Sequence, residues 1–130
     1  MWVKRNKYGN RKVWYKGIKF DSGHERDYYI ILEERLARGE ISDLRLQVKF
    51  ELTPSIRGEK EVVKHLKRGD KVVKKSYEEL PASSYIADFV YIDNATGKEM
   101  VVDAKGYRTP EYQLKKKIMR YYKGITIMEV

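Results

Sequence analysis

The chain has 130 residues, 42% of them hydrophobic, and a formal charge of +9 from 28 Lys and Arg against 19 Asp and Glu. That length allows one domain with a genuine core and disfavours both a disordered tail and a two-domain protein. With no Cys and only two distant histidines, His24 and His65, disulfide scaffolds, Cys-based zinc fingers and thiol nucleophiles are excluded, and HExxH chemistry is disfavoured.

The first 20 residues hold seven basic side chains and no acid. Within them, 11–20 reads as a short hairpin, Lys-Val-Trp-Tyr turning near Lys16-Gly17 into Ile-Lys-Phe. Asp21-Ser22 offers capping side chains for a helix over 23–38 that stops at Gly39, with Tyr28, Tyr29, Leu32 and Leu36 as its apolar face. Leu44, Leu46, Val48, Phe50 and Leu52 then alternate with Arg45, Gln47, Lys49 and Glu51, which predicts a strand closed by Pro54. Residues 55–80 form a basic insertion open to two readings: a helical turn over Glu61–Lys67, or a hairpin over Val62–Tyr77 turning at Gly69-Asp70. Strands follow at 84–93 and 98–105, joined by an Asn94-Ala95-Thr96-Gly97 turn. Thr109-Pro110-Glu111 starts a second helix, with Leu114, Ile118, Tyr121 and Tyr122 as its buried face and Gly124 at its end. Ile125–Val130 reads as a last, buried strand, and a helical crossover into it predicts that it runs parallel to the third strand in a mixed sheet.

The longest apolar run, Tyr28–Leu32, is far too short for a membrane span of ~20 residues. The opening Met-Trp-Val-Lys-Arg has no apolar signal core, so a cytoplasmic protein is expected. Basic residues concentrate in three stretches, 1–20, 57–75 and 105–123, with Tyr interleaved. A single Lys-rich helix can be a solubilising face; three such stretches point to a polyanion, and nucleic acid is the expected partner.

Asp88 lies inside an apolar strand, and Asp103 and Lys105 share one face of the next. Carboxylates are depleted in strand interiors and costly to bury unpartnered. An Asp–Lys ion pair at a strand end would account for the pattern. So would a divalent-metal site, in which two carboxylates supply hard oxygen ligands and Lys105 positions the attacking water or offsets charge on a phosphate. Glu25 carries the same tension: Ser22-x-x-Glu25 is a capping box, yet Glu25 falls on the inward stripe with Tyr28 and Tyr29.

In chain order, FDSGHERDYY, LQVKFEL, YIADFVY, VVDAKG and TPEYQLKKK resemble the PD-(D/E)XK nuclease superfamily, in particular its small phage-type members related to Holliday-junction resolvases. The resemblance runs from about Phe20 to the end of the chain. Asp88 matches the first motif acid, with Ala87 in place of the Pro; Asp103 matches the second acid, Lys105 the motif Lys and Glu25 the acid of the first core helix. The resemblance implies an α/β fold with a restriction-endonuclease-like core of helix, three strands, helix and strand, after a basic N-terminal hairpin. It further implies Mg2+, with Mn2+ able to substitute, held by Glu25, Asp88 and Asp103, with Gln47 as an auxiliary contact and Lys115 and Lys117 contacting phosphates. The activity expected is endonucleolytic hydrolysis of DNA, branched DNA in particular, by a homodimer in phage recombination, within the bacterial host cytoplasm. Two alternatives stand beside it: a non-catalytic DNA-binding module on the same fold, and a nuclease for linear or nicked duplex. The insertion would then be a loop or hairpin that reaches the DNA backbone.

Overall fold

The computed structural model describes residues 11–105 and 107–130. Lys4, Arg5 and Lys7 of the expected basic segment, Trp2, and Gly106 after the motif Lys lie outside them. Strands β1 (Val13–Tyr15) and β2 (Ile18–Phe20) pair antiparallel with Val13 opposite Phe20. Lys16 and Gly17, with φ of 47° and 78°, form the turn; two positive φ angles in succession are what the twist of a tight hairpin favours.

Helix α1 (Gly23–Ala37) begins at Ser22, whose hydroxyl accepts a hydrogen bond from the Glu25 amide at 3.2 Å. It ends before Gly39 at φ 74°. Strand β3 (Ile41–Thr53) follows, then β4 (Ile56–Leu66), β5 (Gly69–Leu80), β6 (Ser83–Asp93), β7 (Lys98–Asp103), helix α2 (Pro110–Lys123) and β8 (Met128–Glu129). Four strands form a mixed sheet in the order β3-β6-β7-β8, with β6 antiparallel to β7 and β7 parallel to β8. The protein is therefore a mixed α/β fold with two helices. Its final strand is only two residues long, where the sequence reads as six.

The chain packs as two compact units, one comprising residues up to Phe50 and from Ile86 onward, the other Glu51–Tyr85. In the first, Phe20, Leu32, Ile41, Phe89, Tyr91, Val102 and Ala104 form the buried core, with Tyr28, Tyr29, Leu44 and Leu46 packed against it. Each large apolar side chain buried there contributes roughly 1.5–3 kcal/mol. In the second, β4 and β5 pair antiparallel in a sheet of their own. Residues 55–80 thus form a hairpin and not a helical turn, and its connection is Lys67-Arg68, with Leu66 opposite Gly69, two residues before the expected turn.

The helices depart from their expected faces. In α1 the inward stripe runs Glu25, Tyr28, Tyr29, Leu32 and then Arg35, while Leu36 is 41% exposed. Arg35 takes the place of Leu36 by laying its guanidinium over the Tyr91 ring, 5.6 Å from the centroid. In α2 the buried residues are Tyr112 and Met119; Leu114, Tyr121 and Tyr122 are exposed. Between Tyr112 and Met119, at the helical spacings of three and four, stand the half-buried Lys115 and Lys116. Their ammonium groups form ion pairs, Lys115 with Glu111 of the same helix at 3.1 Å and Lys116 with Glu129 of β8 at 2.6 Å. Of the expected face only Ile118 is half-buried; hydropathy puts lysines outside, yet two of them stand on the inward stripe of α2. Accordingly, Met119→Ala is expected to cost about 2–4 kcal/mol of stability and Leu114→Ala less than about 1 kcal/mol, measured by urea unfolding.

Candidate active site

The mixed sheet brings most of the candidate residues together. The β6–β7 register sets Phe89 opposite Val102, and Asp88 and Asp103 are the next residue on each strand. Both carboxylates are buried, Asp103 completely. An Asp side chain inside a sheet needs hydrogen bonds that water no longer supplies. Asp88 obtains them from the Ala104 amide, which donates to Oδ2 at 2.8 Å, and from Gln47 Nε2, which donates to Oδ1 at 3.4 Å. Gln47 Nε2 also donates to Glu25 Oε1 at 3.1 Å, so one amide links the α1 acid to the β6 acid.

Gln47 achieves this from a strained backbone. Its φ is +52°, and Asp43, four residues earlier in β3, has φ +51°. Left-handed geometry at a non-glycine residue costs roughly 1–2 kcal/mol and re-aims the side chain relative to strict strand alternation. Around Leu44, Arg45 and Leu46 the alternation of exposed and covered residues lapses into three consecutive half-buried positions. Gln47 is therefore more than the peripheral contact expected of it.

Glu25 is buried and lies in the first turn of α1. Burial first, then the charges of Asp88 and Asp21, push its carboxyl up to about 7, against smaller lowering effects from a backbone hydrogen bond at Asp21 and from Lys105. The cap and the site are not exclusive: the Glu25 amide engages Ser22 while its carboxylate engages Gln47. Burial likewise raises Asp88 to about 6; the Ala104 hydrogen bond opposes this, the Asp103 charge adds to it, and Lys105 and Gln47 again oppose it. Lys105 is 46% exposed, with Nζ 3.6 Å from Asp103 Oδ2 and 5.9 Å from the centre of the Tyr112 ring. The Asp–Lys ion pair anticipated at the strand end is present.

A second layer that the sequence did not disclose supports the strand end. Glu129 of β8 accepts from Lys116 at 2.6 Å and pairs with Arg108, whose guanidinium also donates to the Asp103 carbonyl at 3.4 Å and lies 5.9 Å from the Tyr112 ring. Lys105 and Arg108 thus share one aromatic ring. His24 is bound to the Val130 carbonyl through Nε2 at 2.8 Å. Lys115 is paired with Glu111, and Lys117 is exposed on α2.

Three carboxylates are hard oxygen donors of the kind that hold Mg2+ or Mn2+, and it is burial that chiefly raises the proton affinities of Glu25 and Asp88. The donors fit such an ion in kind. Among the described residues no three acids or histidines converge as a ready-made coordination set; the pair drawn together is Glu25 and Asp88, through Gln47.

Taken together, these features define a mixed α/β protein with a cluster of buried acids and a neighbouring lysine at one strand end. The chain belongs to the DUF1064 family, described as a protein of unknown function, whose model matches residues 5–128. No curated protein and no solved structure matches the chain.

The raised carboxyls predict a pH signature. Glu25 and Asp88 hold their protons more tightly folded than unfolded, so this contribution to stability is complete below about pH 4 and lost as pH rises through about 6 to 7. Removing the Glu25 titration with Glu25→Gln, which keeps the bond to Gln47, is expected to stabilise the protein by about 1–3 kcal/mol at pH 8 in EDTA. That advantage should shrink toward pH 5, as read by urea unfolding at the two pH values.

Proposed function

We propose that the chain is a metal-dependent DNA endonuclease with a restriction-endonuclease-like core, acting on branched DNA. The observation that carries this reading is the Gln47 amide shared by Glu25 and Asp88, beside the Asp103–Lys105 pair. An acid on the first helix, acids on two paired strands and a lysine two residues after the second acid are the elements the PD-(D/E)XK resemblance requires, in the order it requires them.

In this reading Glu25, Asp88 and Asp103 hold Mg2+ or Mn2+, and Gln47 sets the spacing of the first two. The bound ion would supply Lewis-acid stabilisation of the phosphate and a more acidic water. Lys105, exposed at its tip and steadied by Asp103 and Tyr112, orients the water or offsets charge developing on the phosphate. Lys117 is free to meet the DNA backbone, as is Lys115 if it releases Glu111. The homodimer and the phage setting rest on the resemblance.

One observation favours a second reading, a DNA-binding module that does not cut. The acids are already matched internally, by Gln47, the Ala104 amide and Lys105.

Cleavage of matched four-way junction, flap, nicked and linear duplex DNA, with Mg2+, Mn2+ or EDTA, separates these readings. Metal-dependent cutting of the junction is expected, abolished in Asp103→Ala and reduced at least about 100-fold in Lys105→Ala. Cutting of duplex alone would keep the site and discard the junction; no cutting by a native chain that still binds DNA would leave the binding module. Independently of activity, Mg2+ at pH 8 should raise the melting temperature of the native chain and not of Asp88→Asn.

A further inference from the structure

The β4–β5 ribbon has two faces of opposite electrostatic character. Its register places Gly58 opposite Tyr77, Lys60 opposite Lys75, Val62 opposite Val73 and Lys64 opposite Lys71. Alternation puts these pairs on one face, where four lysines stand in two facing pairs and the one carboxylate, Glu79, lies at the far end beside Gly58. The other face sets Arg57 opposite Glu78, Glu61 opposite Lys74 and His65 opposite Asp70, with the last pair 2.8 Å apart. Each of those cations or proton carriers meets an acid.

Composition does not demand this segregation. Like charges directly opposite on a ribbon are destabilising, and a two-stranded hairpin is marginal to begin with. Exchanging Glu59 with Lys60 in the sequence would set a glutamate opposite Lys75 and a lysine opposite Ser76, relieving the repulsion at the same net charge. A merely solubilising surface gains nothing from four lysines in two facing pairs. The face is also structured: Tyr77 lies over Gly58, where an added Cβ would come within 2.9 Å of the ring, and Lys60 Nζ stands 5.4 Å from the ring centre. Along the strand the two lysine pairs are four residues apart, or roughly 13 Å. The major groove of B-DNA, which admits a two-stranded ribbon, is ~12 Å wide.

We propose that the Lys60, Lys64, Lys71 and Lys75 face is a sequence-independent phosphate-binding surface for duplex DNA, separate in function from the acidic site. The choice of DNA among polyanions rests on the nuclease reading; the one-sided charge does not. Lysine ends contacting phosphates give affinity and register without reading bases.

Two variants that remove the same charge test the assignment: K64Q/K71Q on the lysine face and R57Q/K74Q on the paired face. The full-length chain is titrated in EDTA against a fluorescein-labelled duplex of about 30 base pairs over a range of NaCl concentrations, with fluorescence anisotropy as the readout. K64Q/K71Q is expected to lower the slope of log K against log salt by about 1.8, and affinity at 0.1 M salt on the order of 50-fold, while R57Q/K74Q changes the slope by less than about 0.5. Its melting temperature should not fall, since it removes a like-charge pair. Equal losses in the two variants would reduce the effect to net charge and overturn the proposal. So would a loss confined to phosphatidylserine vesicles run in parallel, which would make the face a lipid contact. Because the titration runs in EDTA, it does not depend on cleavage: a native chain that shows this slope difference yet cuts no DNA in Mg2+ fails the nuclease reading alone, and one that cuts DNA but shows equal losses fails this proposal alone.

Discussion

Keeping Asp88 buried at a useful charge state is the constraint that the sheet around it satisfies. A carboxylate in a strand interior loses its water, and burial alone would neutralise it. Three features oppose that outcome, each dependent on a different element. The β6–β7 register brings the Ala104 amide to Oδ2; a left-handed residue in β3 brings the Gln47 amide to Oδ1; and Lys105, just past β7, adds positive charge. The result is an acid raised only to about 6, which is ionised at neutral pH. Glu25, tied to the same amide but farther from compensation, is raised further, to about 7.

Much of this was legible in the sequence, for physical reasons that differ between elements. The Ser22 and Thr109 caps, the Lys16-Gly17 turn and the apolar run of 84–93 are local signals, and local chemistry decides them. Asp88 and Asp103 stood out because an acid among apolar strand residues is anomalous on its own evidence. The inward faces of the helices were harder to read. Arg35 lies over Tyr91 while Leu36 is left exposed, and Lys115 and Lys116 occupy the inward stripe of α2. Long cationic side chains bury stems and expose heads, and a hydropathy pattern records only the heads.

Gln47 is the clearest case of information that alternation cannot hold. Period-two patterning assigns it to the polar face of β3, and nothing in Leu46-Gln47-Val48 announces a positive φ. Asn, Asp and Gly would have signalled it; Gln does not. Strain of this kind persists only where surrounding structure outweighs it, and it gathers at functional sites. Here the balancing interactions are two hydrogen bonds to carboxylates, which are stronger than bonds between neutral groups. The same bonds that hold the backbone in an unfavourable region also hold two acids together that would otherwise repel.

The hairpin inverts that logic. At the acid cluster, like charges are brought together and then compensated by a neutral amide, a backbone N–H and a lysine. On the lysine face of β4–β5, like charges are set directly opposite each other with no acid between them, although the opposite face of the same two strands shows that acids were available for pairing. A protein can carry unpaired repulsion on a marginal ribbon only if the core elsewhere supplies the stability. The first unit, with its buried Phe20, Leu32, Phe89 and Val102, has such a core of its own. On the proposed reading, phosphate affinity is set by four lysines on an insertion, while the position of each acid is set by the sheet. Changing the ribbon would then alter the proposed hold on DNA and leave intact the hydrogen bonds that keep Asp88 in place.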